Sequence, residues 1–153
     1  NIKKMKNIKL AKKKSLKNTQ TGWGCEVEIH NGDGYCGRVL TVEENKKSSF
    51  HYHLKKNETF YVLDGVLEID LSFDLHSKTT VLRKGECIDI PKYVLHRFSA
   101  KEITTVLEIS TYDDGEDDIV RCVTGDNQPK YAWLADDKSF IQWEKKVNRI
   151  LGK

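Results

Sequence analysis

Ser49-Phe50-His51-Tyr52-His53, followed by Glu58 and then by Asp64-Gly65, is the stretch whose reading decides the fold of this chain. His51 and His53 are two residues apart, so in a β-strand both imidazoles share one face. Glu58 opens a second apolar, strand-like run that ends at Asp64-Gly65, a strong hairpin signal between two strand-like segments. Two imidazoles and a carboxylate brought together by a tight turn supply most of a divalent metal site. A fourth ligand must come from elsewhere in the chain.

Working outward, residues 23–29 (WGCEVEI) and 35–42 (YCGRVLTV) read as strands on either side of the turn Asn31-Gly32-Asp33-Gly34. Residues 65–73 alternate, with Val66, Glu68, Asp70 and Ser72 on one face and Leu67, Ile69, Leu71 and Phe73 on the other. That is the pattern of a half-exposed antiparallel strand. Residues 79–83, 87–90, 94–98 and 103–110 continue a run of short strands punctuated by Lys84-Gly85 and Pro91. Many short strands at such even spacing predict an all-β sandwich or barrel rather than a βαβ sheet.

Beyond Thr111, the acidic run Asp113-Asp114-Gly115-Glu116-Asp117-Asp118 reads as a solvated loop, with Arg121 placed to pair with one of its acids. Residues 119–123 read as a last short strand or extended segment. From Asp137 onward, Phe140, Ile141, Val147, Ile150 and Leu151 recur near helical spacing, and Trp143 widens the stripe. The spacing predicts a C-terminal amphipathic helix of about three turns. The expected organisation is a lysine-rich flexible tail over 1–20, a β-barrel over 21–125 and an extension over 126–153 that carries the helix.

A chain of 153 residues with 38% hydrophobic and 32% charged residues suits one globular domain with a real core. No apolar run reaches the roughly 18 residues of a membrane span. The lysine-rich start is not followed by an apolar segment of the secretory type, so a cytoplasmic protein is expected. The net charge of +3 hides an asymmetry: eight lysines and no acids lie in residues 1–17, leaving 18 basic against 23 acidic residues elsewhere. An acidic body argues against a nucleic-acid-binding face. Cys25, Cys36, Cys87 and Cys122 form no C-x-x-C pair and read as free thiols, with a Cys25–Cys36 disulfide as the minor alternative. His30 and His76 read as surface or turn residues.

The best candidate for the fourth ligand is His96, in a segment where Gly85, Pro91 and Tyr93 lead up to the histidine. The first block is H-x-H-x4-E-x6-G and the second is G-x5-P-x-Y-x2-H. Together they resemble the two motifs of the cupin superfamily, small double-stranded β-helix (jelly-roll) barrels that hold a metal through three histidines and a glutamate. The resemblance implies His51, His53, Glu58 and His96 as ligands, with Gly65 and Gly85 as motif glycines and Pro91 as the motif proline. Tyr93 stands where the family often has glycine, and Ala100 where its second motif often ends in asparagine. Three imidazoles and a carboxylate suit divalent Mn, Fe, Co, Ni or Zn. On a six-coordinate ion they leave two adjacent positions for substrate oxygens, which suits a hydroxy-aldehyde or hydroxy-ketone.

Val106-Leu107-Glu108-Ile109-Ser110 places a lone carboxylate in an apolar strand. Glu108 is there either an outward surface residue or an interior acid suited to proton transfer. The Glu108-Ile109-Ser110 segment with its following acids resembles the cupin-type sugar isomerases, notably the D-lyxose isomerase group. The first block is also similar to mannose-6-phosphate isomerase-like cupins, and Lys55 and Lys56 partly echo the lysine of the first motif. The resemblance implies a metal-dependent aldose–ketose isomerase acting on a small sugar or sugar phosphate through a metal-stabilised enediolate. Glu108 would move the proton, and Lys56 or Lys55 would bind a hydroxyl or phosphate. A non-catalytic sugar-binding cupin is the alternative, an Fe(II) dioxygenase the third. A homodimer is the family-level expectation.

Overall fold

The computed structural model describes residues 11–73, 76–123 and Arg149. Eleven strands appear there in chain order: β1 Lys17–Thr21, β2 Gly24–Gly32, β3 Tyr35–Val42, β4 Phe50–His53, β5 Glu58–Asp64, β6 Val66–Phe73, β7 His76–Arg83, β8 Cys87–Ile90, β9 Leu95–Ala100, β10 Thr104–Thr111 and β11 Ile119–Val123. A 3-10 turn, Gly115–Asp117, precedes the last. The strands form two antiparallel sheets, one in the order β1-β2-β3-β10-β5-β8 and the other β11-β4-β9-β6-β7. The all-β expectation holds. The predicted C-terminal helix, with Trp143, lies outside the described residues except for Arg149, whose backbone is helical. Lys17–Thr21, at the end of the stretch read as tail, is a strand paired in register with β2.

The β2–β3 turn behaves as its sequence predicts. Gly32 pairs with Tyr35, and Asp33 and Gly34 between them both take positive φ, as a two-residue hairpin turn of the primed type requires. Asp64-Gly65 does something else. Its flanking strands fall in different sheets, so it is a corner and not a hairpin. Gly65 has φ +85°, and a Cβ there would lie 2.5 Å from Thr104 Oγ1 and 2.9 Å from the Ile103 carbonyl oxygen. The same Thr104 hydroxyl accepts from the Val66 amide and lies 3.1 Å from the Val66 carbonyl, which fixes the start of β6 as it crosses to the second sheet. A local Asp-Gly signal reports a sharp reversal but not which strands pair across it.

The interior changes character along the strands, and this positions the site. Toward one end the buried side chains are apolar: Leu40 and Val42 on β3, Phe60 and Val62 on β5, Phe98 and Ala100 on β9, and Val106 on β10. Two residues further along each strand, on the same inward face, stand the buried Glu58, His96 and Glu108 and the part-buried Arg38. Trp23 covers the apolar half, edge-on to Phe98 at 4.9 Å between ring centroids. Strand β4 is buried on both faces, because Tyr52 packs outward with Leu95 and Cys122 in a second small cluster. His51 and His53 therefore point to the interior from a strand with little freedom to shift.

Candidate metal centre

Paired strands bring three histidines together. His51 on β4 stands directly opposite His96 on β9, and His53 follows His51 on the same face. Each offers a ring nitrogen, and these nitrogens all lie within 4.8 Å of one another. All three residues are buried. Glu58, at the start of β5, closes the group: its Oε1 is 2.7 Å from His96 Nε2 and 3.7 Å from His53 Nε2.

The outer nitrogens decide what the inner ones offer. His51 Nδ1 lies 2.8 Å from the Ser49 carbonyl, His96 Nδ1 lies 2.9 Å from the Val94 carbonyl, and His53 Nδ1 lies 3.1 Å from Asp118 Oδ2. Carbonyl and carboxylate oxygens only accept, so each Nδ1 carries a proton and each Nε2 is the atom turned toward the interior. Burial, reinforced by the neighbouring imidazoles, pushes His51 well below the usual imidazole range. Burial and then the Lys56 charge bring His53 down to about 4. Burial alone would raise the Glu58 carboxyl, but Lys56 and the histidines outweigh it and hold it well below the carboxylate range.

Three imidazoles facing an ionised carboxylate are the donor set of a divalent cation. His96 Nε2 and Glu58 Oε1 face each other at 2.7 Å, both buried and with no other hydrogen-bond partner among the described residues. Two lone-pair atoms that close need a cation or a shared proton between them. The residues fit a metal.

Behind the ligand group lies a network of buried charge. Lys56 Nζ contacts Glu108 Oε1 at 2.9 Å, Glu58 Oε2 at 3.0 Å and Asp113 Oδ2 at 3.3 Å. Its side chain is only 4% exposed, so it is no solvated turn residue. Burial opposes its charge, but the three carboxylates prevail and keep it an ammonium. Lys55, by contrast, is exposed and pairs with Asp114. Glu108 takes the interior of the two orientations its strand allowed, with Ile109 outside. Burial pushes its carboxyl up despite Lys56.

The acidic run divides. Asp114, Glu116 and Asp117 meet solvent, but Asp113 and Asp118 are buried. Asp118 is wholly buried and accepts from the Lys55 and Lys56 amides as well as from His53. Asp113 binds Arg38 and Lys56. Composition alone concealed both, because their partners lie more than 50 residues away. His30 stands apart from the cluster, stacked on Tyr35. The four cysteines are free thiols.

A cavity of about 300 Å³ opens beside the histidines, walled by His51, His53, Lys56, Arg38, Arg121 and Thr21 among others. Glu108 is not on that wall; it sits behind Lys56.

Comparison with known proteins agrees with this geometry, since residues 38–110 match the cupin domain family. The match spans 73 of the 153 residues, from β3 to β10. Over 65 residues the chain is 40% identical to Protein SchB of Streptomyces halstedii, covering 42% of this chain and 44% of that protein. Among solved structures, the capsular polysaccharide assembling protein CapF from Staphylococcus aureus superposes with a TM-score of 0.65 at 17% identity, over 73% of this chain and 33% of CapF. Oxalate decarboxylase from Bacillus subtilis gives 0.61 at 15% identity, over 69% of this chain and 30% of the enzyme. KdgF from Halomonas sp. gives 0.54 at 14% identity, over 65% and 89%. The chain thus spans less than half the length of SchB, CapF and the decarboxylase, and the structural likenesses establish the cupin fold. No described helix is long and apolar enough to cross a membrane.

Proposed function

We propose that this cupin domain holds one divalent transition metal through His51, His53, Glu58 and His96 and acts as an aldose–ketose isomerase on a small sugar or sugar phosphate. The observation that carries the metal is the pair His96 Nε2 and Glu58 Oε1, buried, 2.7 Å apart and with no other partner, beside the imidazoles of His51 and His53. When bound, the ion supplies Lewis-acid polarisation of a carbonyl and its neighbouring hydroxyl. The rest is done by side chains. Lys56, on the cavity wall, donates to a substrate oxygen and balances the charge of Glu58 and Glu108. Glu108 takes the proton from C2 and returns it at C1 while the hydroxyl proton passes from O2 to O1, a role suited to a carboxyl that burial pushes above its usual range. To reach a substrate carbon it needs Lys56 to give way. The sugar class is supported by the likeness of the sequence motifs to cupin sugar isomerases and by the polar cavity; CapF, a polysaccharide-assembling protein, is consistent with it.

The second reading is a sugar-binding cupin without turnover, and the position of Glu108 behind Lys56 favours it. Solvent-deuterium exchange read by NMR separates the two, using pentoses, hexoses and their phosphates with Mn, Fe, Co, Ni or Zn added. The isomerase incorporates deuterium at C1 or C2 of at least one sugar, and Glu108→Gln abolishes it while the sugar still binds. No exchange with any metal, alongside retained binding, selects the binding protein.

A further inference from the structure

Five buried side-chain atoms lack a hydrogen-bond partner among the described residues: Glu58 Oε1, His96 Nε2, Thr21 Oγ1, Arg38 Nε and Arg121 Nε. The first two belong to the ligand group, and the other three residues line the cavity beside it. Unsatisfied buried polar atoms are rare, and their gathering at one site marks a place where a polar ligand belongs. Their kind narrows its chemistry. Away from the metal ligands, two of the three are guanidinium donors.

The three cations on the cavity wall are not equivalent. Lys56 is committed to Glu58, Glu108 and Asp113, and Arg38 to Asp113 and Glu28. Arg121 stands directly opposite His51 on the paired strands β11 and β4, so its side chain leaves the sheet on the same side as the imidazole. Its two terminal nitrogens are taken by the carboxylate of Glu116, one of them at 2.8 Å. That partner is at the surface: the Glu116 side chain is 74% exposed against 19% for Arg121. An ion pair of this kind breaks cheaply. The fork it frees binds a carboxylate or a phosphate through two parallel hydrogen bonds. Glu116 thus occupies the guanidinium as a ligand's own oxyanion would.

We propose that Arg121 is the oxyanion-binding residue of this cavity, and that the ligand is a small, hydroxyl-rich molecule whose carboxylate or phosphate displaces Glu116 while its other end meets the histidines. The hydroxyl-rich part and the second end rest on the sugar and metal-centre readings, and the oxyanion end does not. The proposal is tested by calorimetric titration of the full chain, metal-free and Ni-loaded, with D-glucose, D-glucose 6-phosphate and D-glucuronate. At least one charged sugar binds about tenfold tighter than glucose, and which one does so separates phosphate from carboxylate. Arg121→Gln removes that preference and Arg121→Lys restores it in part, with nickel affinity unchanged in both. Glu116→Gln tightens the charged sugar roughly two- to fivefold, because the internal competitor is gone. Equal affinity for charged and neutral sugars, no detectable binding of either charged sugar, or a preference that survives Arg121→Gln overturns the proposal. Charged-sugar binding that depends on Arg121 in protein that retains none of Mn, Fe, Co, Ni or Zn refutes the metal centre and leaves the oxyanion site standing.

Discussion

Asp118 shows how one buried carboxylate organises the ligand group. Its two oxygens accept three N–H groups, from His53 and from the Lys55 and Lys56 amides, so it ties the loop after β4 to the histidine that β4 carries. Asparagine in its place has one acceptor oxygen and a donor that faces N–H groups. Asp118→Asn should therefore weaken metal binding about 10- to 100-fold, the usual cost of losing such an orienting partner. Competitive metal titration checks this, with melting curves to confirm that the variant folds. Lys56 carries a different burden. Lys56→Met leaves Glu58, Glu108 and Asp113 close together without their shared cation, and should cost about 3–5 kcal/mol in urea denaturation. A loss below about 1 kcal/mol would mean that Lys56 is solvated rather than buried. His51, His53, Glu58 and His96 were legible in the sequence through the likeness of their two blocks to the cupin motifs, and the fold brings them together. Asp113 and Asp118 were not, since an acidic run is solvated unless something distant claims its members, and here Arg38, Lys56 and His53 do.

Among the elements, the turn before β9 is the most constrained. Tyr93 adopts φ +71°, the left-handed conformation that glycine provides more readily, and its amide donates to the His53 carbonyl at 2.8 Å. The tyrosine that departs from the motif thus keeps a glycine-like backbone, and its ring packs with the cluster around Tyr52 and Leu95. Both Tyr93→Gly and Tyr93→Ala lose that packing, but only alanine keeps the left-handed penalty. Tyr93→Gly should then be the more stable of the two by about 1 kcal/mol, the reverse of the order in a strand or helix. Paired denaturation curves decide it. Local turn chemistry was readable at Asp33-Gly34, where two positive φ angles close a hairpin between neighbouring strands. At Asp64-Gly65 it misled. Whether a reversal pairs its strands or sends them to separate sheets depends on what lies beneath it, in this case Thr104, 39 residues along.

At the scale of the molecule, the barrel spends its interior on two things, an apolar half that holds the sheets together and a charged half that holds the site. The charged half makes stability depend on pH. Burial would raise the Asp113 carboxyl, but Lys56 and Arg38 prevail and bring it from 3.8 to about 2. A value lower in the folded state than in the unfolded one stabilises fully above about pH 4, and the gain is lost as pH falls toward 2. Asp113→Asn should remove this dependence, so the wild-type advantage at pH 6 should shrink by on the order of 1 kcal/mol by pH 3. Denaturation at several pH values measures it. The central claim, however, is that the histidines and Glu58 form a metal site, and its most direct test is metal analysis. Protein purified without chelator and dialysed against a mixture of Mn, Fe, Co, Ni and Zn should retain about one divalent ion per chain, and the His51→Ala/His53→Ala double variant should retain almost none. A wild-type protein that holds no ion, or a double variant that holds as much as wild type, would contradict it.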